Sequence, residues 1–593
     1  MEDQSEPKPS QPQAAPEEPA PKQANNHLRH WHRFKDWYLV NKKWSVPGSV
    51  VLGILLLAVI PWTRYQAAGL AVKKDFSLKV SDSVSNTPVS GAQVTIAGVS
   101  GITNGNGTVT LRSVKVGSHQ ALITKKYYKD IHAGVLVPIF SQKTPPNITF
   151  VATGRQVKLK IINLINGKAV PEAEISAADT NAKTASDGTA TLVLSAKTTS
   201  QQAKLSGSGY NPATVTIKVS DQKIEENDFK LTPAGKVYFL SKLSGTIDVV
   251  KTNLDGTDRQ TVLAGTGHED DHGTVLLASR DWKFLALLSQ RAGSSPALYL
   301  IDTSDDSNTS IDSGDADFNL VGWNGHNFIY TVDRHNVSVT QPHGEALKSY
   351  NADSKQLATL DQTDGTGTDD QNYAHEDYGN YGGNPAYLVG SNVVYIKNWE
   401  YYQGPYVNYP SLLDGKHAGI YIIGSDGKNS QTLKTFNTTL DSHTSIDTIP
   451  HRSNEVYFRV SDASGTSYFS YANGKLNDEN DLSTDFNSYY SSVSAYLQSP
   501  SGNNTFWTEE RDGKNTLFVG TPDGTDGKQI ATLSDYSAYG WYTDNYLLVQ
   551  KNDSELYALP VGGIKNDAAA VKITDYHKPA QNYYGYGGGY GGL

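Results

Sequence analysis

Residues His268–His272 read HEDDH, two imidazoles and three carboxylates in five positions. Those side chains are ligands for a divalent cation such as calcium, with His268, Glu269, Asp270, Asp271 and His272 as the donor set. The two histidines lie four apart, which would put them on one face of a helix. Gly267 and Gly273 argue for a loop instead, and the acidic pair in the middle breaks the H-E-x-x-H order of helical zinc sites. A solvated acidic connection is the competing reading. No other cofactor is expected.

A second stretch points to binding rather than turnover. Between Tyr373 and Tyr409 there are nine tyrosines and Trp399. Tyrosine offers a broad apolar face and a hydroxyl at low entropic cost, so Tyr373, Tyr378, Tyr381, Trp399, Tyr401, Tyr402, Tyr406 and Tyr409 form a candidate platform for protein or glycan. The competing reading is that these rings pack the insertions onto the domain beneath. Asp369, Asp370, Glu376 and Asp377 could hold a cation there or be solvated. A G-x-S-x-G nucleophile elbow is absent from the chain, which argues against a serine hydrolase.

The elements carrying these segments are read from hydrophobic period. From Val237 the pattern strand, turn, strand, tight turn, strand (VYFLS, IDVVKTN, Asp255-Gly256) recurs seven times down to about residue 575. The spacing in the forties is that of four-stranded blades. Inner strands such as FLALL, VYFL, VVYI and YLLV are continuously apolar, as strands covered on both faces should be. The insertions fall after Leu360 and after Trp399, between and within the third and fourth units. The hairpins LDGTDRQTVL and PDGTDGKQIATL resemble the TolB-like and dipeptidyl-peptidase-type propellers, with SRDW (Ser279–Trp282) where those families have S-P-D-G. That resemblance implies a propeller and leaves activity open. The first unit lacks a lead-in strand, which either Phe229–Thr232 or the chain end could supply.

Upstream, residues 75–153 and 154–233 repeat one another. PVSGAQVTI and TNGNGTVTL are matched by VPEAEISA and TASDGTATL, so that Thr103 corresponds to Thr184. The halves resemble the carboxypeptidase-regulatory-like family of small sandwiches, although Glu172 and Tyr127 replace its glycines. The resemblance implies a stalk without catalysis.

Residues 1–45, proline-rich and then basic and aromatic, are expected to form a disordered cytoplasmic tail with a basic juxtamembrane patch. The uncharged run Val46–Trp62, bracketed by Trp44 and Trp62, has the length of a short membrane-crossing helix. Residues 46–63 are therefore expected to form a single-pass anchor with a cytoplasmic N-terminus and the bulk of the chain outside. A Gly/Tyr-rich tail, expected to be disordered, occupies 577–593. Cysteine is absent and the formal net charge is −10, which excludes disulfide scaffolds and argues against nucleic-acid binding. The expected fold is all-β: one N-terminal transmembrane helix, two β-sandwich modules, and a seven-bladed β-propeller over 236–576. Its expected function is a membrane-anchored surface protein presenting a non-catalytic propeller. The alternatives are a propeller hydrolase or lyase with an acidic channel, and an envelope-assembly partner of the TolB type.

Overall fold

The computed structural model describes residues 26–59, 72–83, 85–219, 227–335, 337–338, 344–369, 372–379, 385–403, 412–438, 444–452, 454–479, 497–522, 526–532, 536–551, 554–561 and 570–574. The Gly/Tyr-rich tail and residues 1–25 lie outside this set. The chain divides into two compact units, 1–156 with 193–197, and 157–192 with 198–593.

The first unit holds two helices, α1 (Asn26–Val40) and α2 (Lys42–Val59), and a two-sheet sandwich. Among the described residues no helix is long and apolar enough to cross a membrane. The expected span at 46–63 runs past Val59 and out of the described set. In the sandwich, a sheet of three strands faces one of four. Alternation along Lys73–Asp82 turns Phe76, Leu78 and Val80 inward, where they meet Val94, Ile96 and Ile123 of the other sheet.

The second unit begins with a sandwich of the same strand order. The repeat read from the sequence is physical. The Thr103 hydroxyl donates to Val89 O at 2.7 Å and accepts from Ala92 N at 2.9 Å. Thr184 repeats both bonds, to Val170 O at 2.6 Å and from Ala173 N at 2.8 Å. Two non-glycine residues stand at turns where the sequence resemblance would put glycine. Tyr127 and Glu172 adopt φ of 62° and 57°, in the left-handed region.

Seven successive antiparallel sheets follow. Among the described residues six contain a four-stranded meander, and the first has three strands, Val237–Ser241, Asp248–Thr252 and Gln260–Leu263. Among the described residues, neither sequence candidate supplies a fourth strand to this blade, and the chain end beyond Thr574 lies outside them. Asn227–Leu231 pairs in parallel with the second sandwich, and Val571–Lys572 completes the seventh sheet. The apolar faces of neighbouring blades share buried clusters. Val249 meets Leu285 between blades one and two, Leu298 meets Tyr330 between two and three, and Ile420 meets Phe458 between four and five.

The ring is closed by the same packing. Val237 and Leu254 of blade one share a core with Leu548, Ala558 and Ile573 of blade seven. A Cβ on Gly256, at φ 77°, would lie 2.3 Å from Ile573 O, so this approach requires glycine. The second sandwich sits across that seam. Asn163 Nδ2 donates to Tyr546 Oη at 2.6 Å, Thr232 Oγ1 donates to Asp255 Oδ2 at 2.6 Å, and Tyr542 Oη donates to Ala234 O at 3.0 Å.

SRDW lies in the blade that follows this three-stranded one. Trp282 takes the left-handed φ (62°) that the usual glycine would take. Its indole Nε1 donates to Trp541 O of blade seven at 3.1 Å, and its ring lies 5.8 Å from Tyr542. A side chain of blade two thus reaches past incomplete blade one. Left-handed strain costs about 1–2 kcal/mol, and loss of a packed indole costs about 3–5 kcal/mol when fully buried. Trp282 is only half-buried. Trp282→Gly should therefore lower unfolding stability by about 1 kcal/mol in chemical denaturation, whereas a more stable variant would show that the strain outweighs the bridge.

Candidate functional site

Antiparallel strands alternate their turns between the two ends of each blade. The second sandwich contacts one end, through the Asp255 turn and the start of the strand Tyr546–Lys551. The connections between second and third strands, and between blades, lie at the other. Both sequence insertions belong to that second end, and they are not separate. The strand Asn392–Gln403 first pairs within blade four, with Ala386–Val389 and His417–Gly424. It then continues past the blade and pairs with Asn372–Asp377, which pairs with Gly365–Asp369. One twelve-residue strand therefore joins the blade to a small extension sheet.

Register sorts the side chains of this extension onto two faces. Ala374 stands opposite Tyr401 and Glu376 opposite Trp399. This face is packed: Ala374, Trp399 (4% exposed) and Leu413 share a core with partly buried Tyr401, and Lys416 Nζ lies 4.3 Å from the Trp399 ring centroid. Glu376 accepts from Lys397 Nζ at 2.9 Å, and Lys397 also lies 3.2 Å from Asp361, which accepts from Tyr378 Oη at 2.7 Å. Burial alone would lower the Lys397 pKa, but Glu376 and Asp361 outweigh it and raise it. Removing one partner of a buried pair leaves an uncompensated charge, so Lys397→Met should cost about 3–5 kcal/mol and release the extension sheet first, read as lost amide-exchange protection at 372–377.

The other face carries the chemistry. His375 stands opposite Glu400, and Tyr373 opposite Tyr402. The Tyr373 and His375 rings lie 5.5 Å apart. Asp377, two residues on, hydrogen-bonds the Glu345 side chain. Glu345 itself opens the third strand of blade three, and its Oε2 accepts from Tyr378 N at 2.8 Å. The ladder places Asp317 directly opposite Asp333, and Asp333 directly opposite Glu345. Three carboxyl groups therefore line up across three adjacent strands, an arrangement that like-charge repulsion disfavours. His335 offsets part of it, with Nδ1 3.1 Å from Asp315 and Nε2 3.0 Å from Asp317.

Burial and these charges shift the titrations. Burial, then the Asp377 charge, pushes Glu345 up to about 8. Burial, then Glu400, pushes Asp377 up to about 6. Asp333 is also raised, mainly by desolvation. Desolvation lowers His375 despite Glu400 and Asp333, and its buried Nδ1 has no hydrogen-bond partner among the described residues. At neutral pH, Glu345 is a protonated donor to the Asp377 carboxylate. Such an arrangement can hold a cationic group, or pass a proton.

The folded chain binds more protons than the unfolded one between the ordinary Glu345 value of 4.5 and about 8. Stability from this group is complete below that window and is lost as pH rises through it. Glu345→Gln should flatten the fall in melting temperature between pH 5 and pH 9, and an unchanged slope would place the titration elsewhere.

The sequence candidates divide. Tyr378 and Trp399 are buried in cores, which supports packing for these two. Tyr373 and Tyr401 are half-buried. Tyr381, Tyr406, Tyr409 and the Tyr402 side chain lie outside the described residues. HEDDH forms the connection between blades one and two, with His268 and His272 exposed. Glu269 accepts from Thr266 N and Gly267 N, Asp270 from His272 N and Gly273 N, and Asp271 pairs with Lys242 at 2.7 Å. Among the described residues, no group of three or more His, Asp or Glu is placed to hold a metal ion. Asp317, Asp333, Glu345, His375 and Glu400 were not singled out by spacing, because only hairpin register brings them together.

No family model and no curated protein matches the chain. Solved structures similar to it include the β-propeller domain of the Trilobed protease from Pyrococcus furiosus, at 12% identity over 65% of this chain and 97% of that one, TM-score 0.32. An acylaminoacyl peptidase from Pyrococcus horikoshii is similar at 13% identity over 57% and 50%, TM-score 0.31. TolB from Acinetobacter baumannii is similar at 12% identity over 56% and 77%, TM-score 0.24. The propeller assignment rests on the order and packing of the seven sheets.

Proposed function

We propose that this propeller is a binding platform for a cationic partner, a protein segment rich in lysine or arginine. The observation that carries this reading is the carboxyl row Asp317–Asp333–Glu345, extended by Asp377 and Glu400 on a face that the insertion was built to add. Facing carboxyl groups must either repel one another or, as Glu345 does at neutral pH, hold a proton, and an incoming cation would favour the ionised row. This end of the blades is opposite the one gripped by the second sandwich, so the site points away from its support. In this reading residues 46–63 anchor the chain in the cell membrane as a single pass, with the N-terminus cytoplasmic and the propeller outside. The half-buried Tyr373, on the same face, would flank the bound segment.

Surface charge attraction is screened by salt. Lysine-rich peptides should therefore bind the full chain more weakly as ionic strength rises, and more tightly as pH rises from 6 to 9 and Asp377 and Glu345 ionise. Asp333→Asn with Glu345→Gln should weaken binding at least several-fold in calorimetry. Salt-independent binding, or full affinity in the double variant, would overturn the assignment.

A second reading is favoured by one observation. Glu345 and Asp377 share a proton and titrate near neutrality, the condition for a general acid and base. On that reading the propeller is an enzyme, a hydrolase or lyase, with the proton passing between substrate and this pair.

A further inference from the structure

Helix α1 carries a feature that the binding platform does not use. Along Asn26–Val40, Trp31, Phe34 and Tyr38 recur at helical spacing, with Trp37 beside them. Phe34 lies 6.2 Å from Trp31, 6.3 Å from Trp37 and 6.2 Å from Tyr38, so the four rings form one continuous ridge. That ridge is uncovered, with Trp31, Phe34 and Trp37 63%, 55% and 58% exposed. At 3.6 residues per turn, Arg33 and Lys35 fall on either flank of the ridge, and Asp36 falls on the opposite side. More charge and another ring follow at once, with exposed Lys42, Lys43 and Trp44 at the start of α2. The apolar run VVLGILLLAV then continues from it.

We infer that α1 lies along the surface of an anionic lipid bilayer, its aromatic ridge in the headgroup boundary and its flanking cations on the phosphates. Aromatic rings are at home in that boundary, where an apolar face and a polar edge are both satisfied. Arginine and lysine stems can lie along the apolar layer while their charged ends stay at the phosphates. A helix with apolar rings on one side and basic residues at the borders has the pattern of an in-plane membrane helix. Two features select lipid over protein as the occupant: the cations border the ridge on both sides, and the ridge leads directly into the most apolar segment of the chain. The inference shares a bilayer with the anchor reading above but does not require the chain to cross it.

The chain has no cysteine, so single-site labelling is clean. Nitroxide labels at Phe34→Cys, Asp36→Cys and Leu55→Cys in the full-length protein would be read by power saturation. The vesicles would be phosphatidylcholine–phosphatidylglycerol, then phosphatidylcholine alone. The inference expects the label at position 34 to collide with oxygen several-fold more than with a nickel chelate, with the reverse at position 36. It also expects the contrast to shrink without phosphatidylglycerol and in Arg33→Gln/Lys35→Gln. Equal exposure of positions 34 and 36 to the chelate would overturn it, and an unchanged contrast in phosphatidylcholine alone would overturn its electrostatic part. Position 55 separates the two readings. A label shielded at 55 with 34 in water sinks the surface helix and leaves the anchor, whereas one in water at 55 with 34 in lipid does the opposite.

Discussion

Burial of one blade's apolar face against the next holds the propeller together, and it does so at the seam as well. Among the described residues the ring closes without a shared strand. Val237 and Leu254 meet Leu548 and Ile573 much as Val249 meets Leu285 between the following pair. Face packing is non-directional and has no register of its own, so alone it would leave the seam the weakest joint. Two features reinforce it. Trp282 bridges from blade two to Trp541, and the second sandwich adds the Asn163–Tyr546 and Thr232–Asp255 bonds. The second sandwich is therefore part of the propeller's closure, a role beyond that of a spacer.

The candidate site depends on this rigidity in a particular way. A row of facing carboxyl groups survives only where the backbone beneath it is fixed by stronger forces. The strands bearing Asp317, Asp333 and Glu345 also carry Phe328, Tyr330 and Leu347, which are buried between blades. The Lys397–Glu376–Asp361 group pins the extension sheet to the same blades from its other side. Glu376 and Asp377 are neighbours in sequence and differ in role because a strand sends successive side chains to opposite faces. One carboxylate is a structural counter-ion and the other belongs to the titrating pair.

Much of the architecture was legible in the residues because blades are local. Apolar runs of strand length, separated by Asp-Gly and similar turns, specify hairpins through short-range chemistry, and seven repetitions announce a ring. The duplication upstream was legible for the same reason, through Thr103 and Thr184. The tyrosine-rich segment breaks the blade pattern of the sequence. Its rings were harder to sort, because the composition that makes a platform also makes a core, and Trp399 and Tyr378 went to cores.

By itself, the sequence determined the strand units, their number, the repeat of the two sandwiches and the places where that pattern is broken. These follow from hydrophobic period and turn chemistry within a few residues of each position. Tertiary structure alone decided which charges meet. Asp317, Asp333 and Glu345 lie on three successive strands and become neighbours through two hairpin registers, while His375 and Glu400 meet because one strand outgrows its blade. HEDDH concentrates its charges in five positions, yet its carboxylates bond the loop's own amides and Lys242. Proximity in sequence was a poor guide to the site, because a β-sheet brings together residues according to register and not according to separation along the chain.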